Sequence, residues 1–102
     1  MDIKYEVIFT DEAKQDIKDI YKYISVCLVN GCAAEKLMAK IEKDISYLGQ
    51  SPYIYPQAGI KDYRKCRTDN YIAFYKIDET EKKVYILKMY HASQDYEVHL
   101  KG

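Results

Sequence analysis

Two stretches of helical periodicity, separated by Asn30-Gly31 and flanked by segments of strand character, constrain this chain more than any other feature. In the first, Ala13, Ile17, Ile20, Tyr21, Ile24 and Leu28 recur at three- and four-residue spacing; in the second, Ala34, Leu37, Met38, Ile41, Ile45 and Leu48 do the same. Each stretch has one apolar and one charged face, so each must bury its stripe against another element. Thr10 reads as the cap of the first helix, with Asp11 and Glu12 placed where the helix dipole favours negative charge. Gly49-Gln50-Ser51-Pro52 closes the second. The spacing predicts an antiparallel helical hairpin.

Strand signals stand on both sides of it. Residues 3–9 are rich in β-formers and read as a first strand. Residues 52–59, with two prolines, a glycine and the aromatic rings of Tyr53 and Tyr55, read as a loop pinned by its tyrosines. Residues 63–67 and 71–77 read as strands joined by the turn Thr68-Asp69-Asn70, in which Asn70 can adopt the left-handed conformation. A charged turn at 78–83 leads to the last and most apolar strand, 84–91. Ser93 or Asp95 is expected to cap a short terminal helix, and 97–102 to form a frayed end.

The order β-α-α-β-β-β predicts an α+β fold, a small and mostly antiparallel sheet with the helical hairpin on one face and the other face open. Residues two apart share a strand face. Tyr63, Lys65 and Arg67 therefore project together, and so do Ile72, Phe74 and Lys76. Tyr71, Ala73, Tyr75 and Ile77 form the opposite set, which is the better core.

At 102 residues the chain is expected to form a single domain, 1–102, with one core. Its formal net charge is zero. Residues 61–76 nonetheless carry five cations (Lys61, Arg64, Lys65, Arg67, Lys76) against two carboxylates (Asp62, Asp69), a local surplus of three. That permits a basic patch without the strongly basic balance that would itself argue for nucleic-acid binding. The three cysteines, Cys27, Cys32 and Cys66, are odd in number and lack zinc-site spacing, so reduced thiols and no metal are expected. The opening residues carry no apolar signal segment, and no apolar run approaches membrane-spanning length, which implies a soluble, cytoplasmic protein.

Both arginines of the chain, Arg64 and Arg67, lie within four positions, and every other basic side chain apart from histidine is a lysine. Arginine presents a planar fork of donors suited to phosphate or carboxylate. The pair therefore points to recognition of phosphate, of a protein surface or of acidic side chains, set against the plainer reading of a charged strand edge guarded against aggregation. Of the twelve tyrosines, Tyr71 and Tyr75 read as core residues with bonded hydroxyls, whereas Tyr63, Tyr90 and Tyr96 could stack on a base or fill a partner's pocket, with packing the plainer reading for each. His99 reads as a surface residue.

The chain resembles the RelE/ParE family of toxins from bacterial type II toxin-antitoxin, or plasmid-stabilisation, modules. The resemblance rests on Ile8-Phe9-Thr10 through Ala13 and Ile17, the 52–56 loop, Tyr63-Arg64-Lys65 and the segment to Asp78, Val84-Tyr85-Ile86-Leu87 leading to His91-Ala92, and Asp95-Tyr96. It implies a growth-arresting protein, without metal or organic cofactor, neutralised by a cognate antitoxin. It also implies one of two targets: DNA gyrase, inhibited without a nuclease centre, or ribosome-bound mRNA, cleaved by clustered basic, tyrosine and histidine side chains. By the same resemblance the catalytic candidates are Lys65, Arg67 and His91, and the binding candidates Tyr63, Arg64, Lys88, Tyr90 and Tyr96. Members that cleave RNA carry arginine where this chain has Ile72 and are basic where it reads Ala92-Ser93-Gln94, which tilts the reading toward a non-nuclease inhibitor. A degenerate member that only binds an antitoxin is the third possibility.

Overall fold

The computed structural model describes residues 4–57, 59 and 63–94. In chain order it contains β1 (Glu6–Phe9), α1 (Asp11–Lys22), a π-helical turn (Tyr23–Cys27), α2 (Gly31–Tyr47), β2 (Tyr63–Thr68), β3 (Tyr71–Asp78), β4 (Lys83–His91) and a short 3-10 turn (Ala92–Gln94). The four strands form one sheet in the order β1-β4-β3-β2, with β1 parallel to β4 and the other pairs antiparallel. This is the α+β architecture expected from the periodicity.

Thr10 joins the helical layer to the sheet. Its Oγ1 accepts from the Ala13 N–H at 3.2 Å, capping α1, while its own N–H donates to the Ile86 carbonyl in β4 at 3.0 Å. The helix therefore starts directly over the central strand, and Ala13 is fully buried there. Beyond Lys22 the chain stays helical but widens: the Leu28 N–H donates to the Tyr23 carbonyl at 3.1 Å, and the Ser25 hydroxyl donates to the Tyr21 carbonyl at 2.7 Å. The regular helix expected to continue to Leu28 thus ends in a π turn, followed by Val29 at φ 49°, a strained conformation for a β-branched residue.

Asn30 then caps α2 by accepting from the Ala33 N–H at 3.1 Å. Tyr21 at the end of α1 donates to Glu35 in the first turns of α2 at 2.8 Å. Leu37, Ile41, Ile45 and Leu48 are buried against the sheet, each stabilising the fold by roughly 1.5–3 kcal/mol relative to exposure. Gly49 allows the close crossing that follows. Its carbonyl accepts from the Tyr5 N–H at 2.7 Å, and a Cβ at this position would sit 3.0 Å from the Tyr5 carbonyl oxygen.

Cys66, Ala73, Tyr75, Val84, Ile86 and Met89 supply the strand side of the core. The Tyr75 hydroxyl donates to the Pro52 carbonyl at 2.8 Å, so the largest buried side chain anchors the loop as well. The buried hydroxyl of Thr68 donates to Asp44 of α2 at 2.9 Å, tying the sheet edge to the helix. In the β2–β3 turn the left-handed residue is Asp69, at φ 54°, and not Asn70 as the sequence suggested. Tertiary contacts favour this choice: the Asp69 carboxylate pairs with Lys40 at 3.3 Å and its carbonyl accepts from Arg67 Nε at 2.9 Å.

Pairing between β3 and β4 shifts by one residue. Tyr75 faces Ile86 but Phe74 faces Lys88, leaving Leu87 without a partner across the strand pair. This bulge reverses the phase of β4, so Ile86 and Met89, three positions apart, both enter the core. Its consequences reach the site.

Candidate functional site

Strand pairing fixes what shares the sheet face away from the helices. Tyr63 lies opposite Lys76, Lys65 opposite Phe74, Arg67 opposite Ile72, and Ile72 opposite Tyr90. Lys65 and Arg67 therefore stand together on this far face with Tyr63 and Tyr90. The Tyr63 and Phe74 rings stack with centroids 5.1 Å apart, and the Lys76 ammonium sits 5.8 Å from the Tyr63 centroid. Arg67 is exposed; its Nε is held by the Asp69 carbonyl, which orients the guanidinium at the end of the strand. Ile72, between Arg67 and Tyr90 in the register, is buried at 5 % exposure and adds little to the accessible face.

His91 does not join them. It pairs with Tyr71, whose ring it meets edge-on at 5.1 Å, and Tyr71 packs on the core beneath the helices. The bulge at Leu87 is the cause, because the reversed phase sends Met89 and His91 toward the helical side. There the Ser93 N–H donates to His91 Nδ1 at 3.0 Å and the Ser93 hydroxyl lies 2.8 Å from the same nitrogen. An acceptor Nδ1 leaves the ring proton of the neutral imidazole on Nε2. Ser93 itself sits within the 3-10 turn as a partner of His91.

Two further candidates are engaged elsewhere. Arg64 donates to the Tyr55 carbonyl and lies 4.9 Å from the Tyr53 ring centroid, so it fastens the loop to β2. Lys88 reaches α1, at 3.1 Å from Glu12 and 3.6 Å from Asp16, and the bond to Glu12, followed by the charge of Asp16, outweighs burial and raises its pKa. Asp16 also accepts from the Met89 N–H at 3.0 Å, satisfying a strand donor beyond the end of β1. Tyr96, Asp95, His99 and residues 97–102 lie outside the described residues.

Sequence reading missed a cluster at the opposite end of the sheet. Glu79 accepts from Tyr5 at 2.7 Å and from Tyr53, and pairs with Lys82 at 2.8 Å. The bonds from Lys82, Tyr53 and Tyr5 hold its carboxyl down to about 2. The same bond to Glu79 pushes the Tyr53 phenol up to about 12. Lys82 is a local partner, but Tyr5 and Tyr53 lie 74 and 26 positions from Glu79 in sequence, so no local signal brings them in. Among the described residues no group of His, Cys, Asp and Glu is arranged to hold a metal, and no helix is long and apolar enough to cross a membrane.

A family model described as the ParE toxin of the type II toxin-antitoxin system parDE matches residues 7–96. Among solved structures, the chromosomal ParDE system of P. aeruginosa aligns at TM-score 0.73 and 18 % identity, covering 86 % of this chain and 96 % of that one. The RelBE2 toxin-antitoxin complex of Mycobacterium tuberculosis aligns at TM-score 0.59 and 20 % identity, over 87 % and 99 %. The isolated E. coli RelE toxin aligns at 0.55 and 19 %, over 95 % and 93 %. At these identities the structural likeness speaks for the fold. No curated protein sequence matches the chain significantly.

Proposed function

Since the chain belongs to the ParE toxin family of type II toxin-antitoxin systems, we propose that it arrests bacterial growth as a non-nuclease inhibitor of the DNA gyrase type. A cognate antitoxin holds it inactive in this reading, the kind of partner with which the M. tuberculosis neighbour was solved. The observation that carries the choice of target is the placement of His91 on the helical side of the sheet, away from Lys65 and Arg67. Cleavage of RNA through its 2′-hydroxyl needs a base, an acid and cations converging on one phosphate. The far face offers cations and aromatic rings but, among the described residues, not the histidine. Arginine, lysine and two tyrosines together on one sheet face, Arg67, Lys65, Tyr63 and Tyr90, suit docking onto a protein surface.

The test is a supercoiling assay with purified gyrase. Inhibition that disappears with Arg67→Ala supports the reading; full gyrase activity at saturating protein removes it. The second reading is a ribosome-dependent endoribonuclease, favoured by the grouping of two cations with Tyr63 and Tyr90 on one face. Induction in a bacterial host followed by mapping of mRNA ends would then reveal cuts in register with codons, lost in Arg67→Ala and kept in His91→Ala. A protein silent in both assays that still binds its antitoxin would be the degenerate member.

A further inference from the structure

The bulge that takes His91 off the far face builds a second feature on the helical side. An open groove of about 460 Å³ lies between α1 and the ends of β3 and β4, lined by Asp19, Ile20, Tyr23, Tyr71, His91 and Ser93. Asp19 is the one carboxylate among these six. Asp19 is already oriented: Gln15 Nε2 donates to its Oδ1 at 2.9 Å. The two phenol rings belong to different elements, Tyr23 to the π turn and Tyr71 to β3, and both line the groove. Burial first, and the neighbouring Tyr23 second, keep the Tyr71 hydroxyl above its usual range and therefore uncharged.

A carboxylate beside two aromatic rings is the chemistry that takes up a cation, and a planar one best, because a guanidinium can stack on a ring while its edge donates to the carboxylate. The surroundings of the groove narrow the choice of occupant further. Tyr23 is 53 % exposed and continues into Val26 at 61 %, Leu28 at 56 % and Val29 at 84 %, an apolar surface at the tip of the helical pair. Contiguous exposed apolar residues beside a polar groove mark a surface for a protein partner. A strained backbone at Val29 holds one of them outward.

We propose that this groove receives an arginine side chain of a partner protein, its guanidinium against Tyr23 and Tyr71 and paired with Asp19, while apolar neighbours of that arginine cover Val26, Leu28 and Val29. The site lies across the sheet from Lys65 and Arg67, so it does not depend on which target the far face engages.

The experiment titrates the isotope-labelled full chain with acetyl-Leu-Arg-Leu-amide and, in parallel, with the neutral isostere acetyl-Leu-citrulline-Leu-amide, following backbone amide resonances. Saturable shifts confined to the amides of the lining residues and the 26–29 segment with the arginine peptide, and at least about fivefold weaker binding of the citrulline peptide, are expected. Asp19→Asn keeps the shape and the Gln15 contact and should weaken arginine binding by a similar factor. Tyr23→Ala, at an exposed position, should weaken it as well without disturbing distant amides. Equal binding of the two peptides, shifts centred on the far face, no shifts at all, or indifference to Asp19→Asn would each overturn the assignment. None of these readouts involves toxicity, so failure here leaves the proposed gyrase reading intact.

Discussion

The two halves of β4 behave differently although they are one strand. From Lys83 to Ile86 it lies between β1 and β3 and alternates regularly, with Val84 and Ile86 facing the helices. From Lys88 to His91 it has outrun β1, its Met89 N–H bonds to the Asp16 carboxylate instead of a strand, and the alternation has changed phase. Strict period-two continuation from Val84 would bring Lys88 and Tyr90 under the helices and send Met89 and His91 to the far face. One unpaired residue, Leu87, decides the opposite. It separates a histidine from two cations that the sequence places on the same list of candidates, and it gives the helical side a groove lined by His91 and Tyr71.

Deleting Leu87 tests directly whether it is the extra residue. Lys88 would then follow Ile86, and regular alternation would keep Lys88 on the far face and Met89 in the core, so the variant should keep a cooperative transition in urea with a loss of only about 1–2 kcal/mol. A lost transition would mean that the residues after Leu87 do not hold their faces by pairing with β3. A second test compares side chains across the bulge. Met89→Ala, at 3 % exposure, should destabilise by about 2–5 kcal/mol, whereas half-buried Leu87→Ala should remove only about 1 kcal/mol. Similar values for the two would argue that both point into the core.

Arg67→Ala sharpens the contrast from the other face. With an exposed guanidinium held by one carbonyl, the variant should keep its unfolding midpoint to within about 0.5 kcal/mol while losing target inhibition. Loss of fold and function together would make Arg67 a structural residue. The mildest test concerns the cluster at the start of β4. Glu79 has a folded pKa of about 2, below its ordinary 4.5, so its contribution is complete above the ordinary value and is lost as pH falls through the folded one. Melting curves of the wild type and Glu79→Gln should differ near neutrality and converge as the medium is acidified toward that lower value. A constant gap at every pH would show that the charge of Glu79 is irrelevant.

Much of the candidate site was legible in the sequence as composition and little of it as geometry. Lys65, Arg67 and Tyr63 were read correctly as one face because β2 is regular along its length, and regular alternation needs no tertiary knowledge. Arg64, in contrast, is drawn to the Tyr55 carbonyl and the Tyr53 ring by a loop whose path no periodicity describes. Lys88 is held by carboxylates 72 or more positions earlier in the chain. The groove residues Asp19 and Tyr23 read as ordinary members of a helical stretch, and no local signal joins them to Tyr71 and His91, which become neighbours only through the pairing of β3 with β4.

The sequence by itself determined where helices and strands begin, because capping at Thr10 and Asn30, apolar spacing and turn residues are local interactions that act within a few positions. It also determined the β-α-α-β-β-β order and hence a sheet covered on one side. Tertiary structure alone decided that β1 joins β4 in parallel, that Asp69 rather than Asn70 turns left-handed, and that His91 faces the helices. Each of these follows from pairing between segments distant in the chain, where a one-residue shift changes little in local energy but exchanges every following side chain between core and surface.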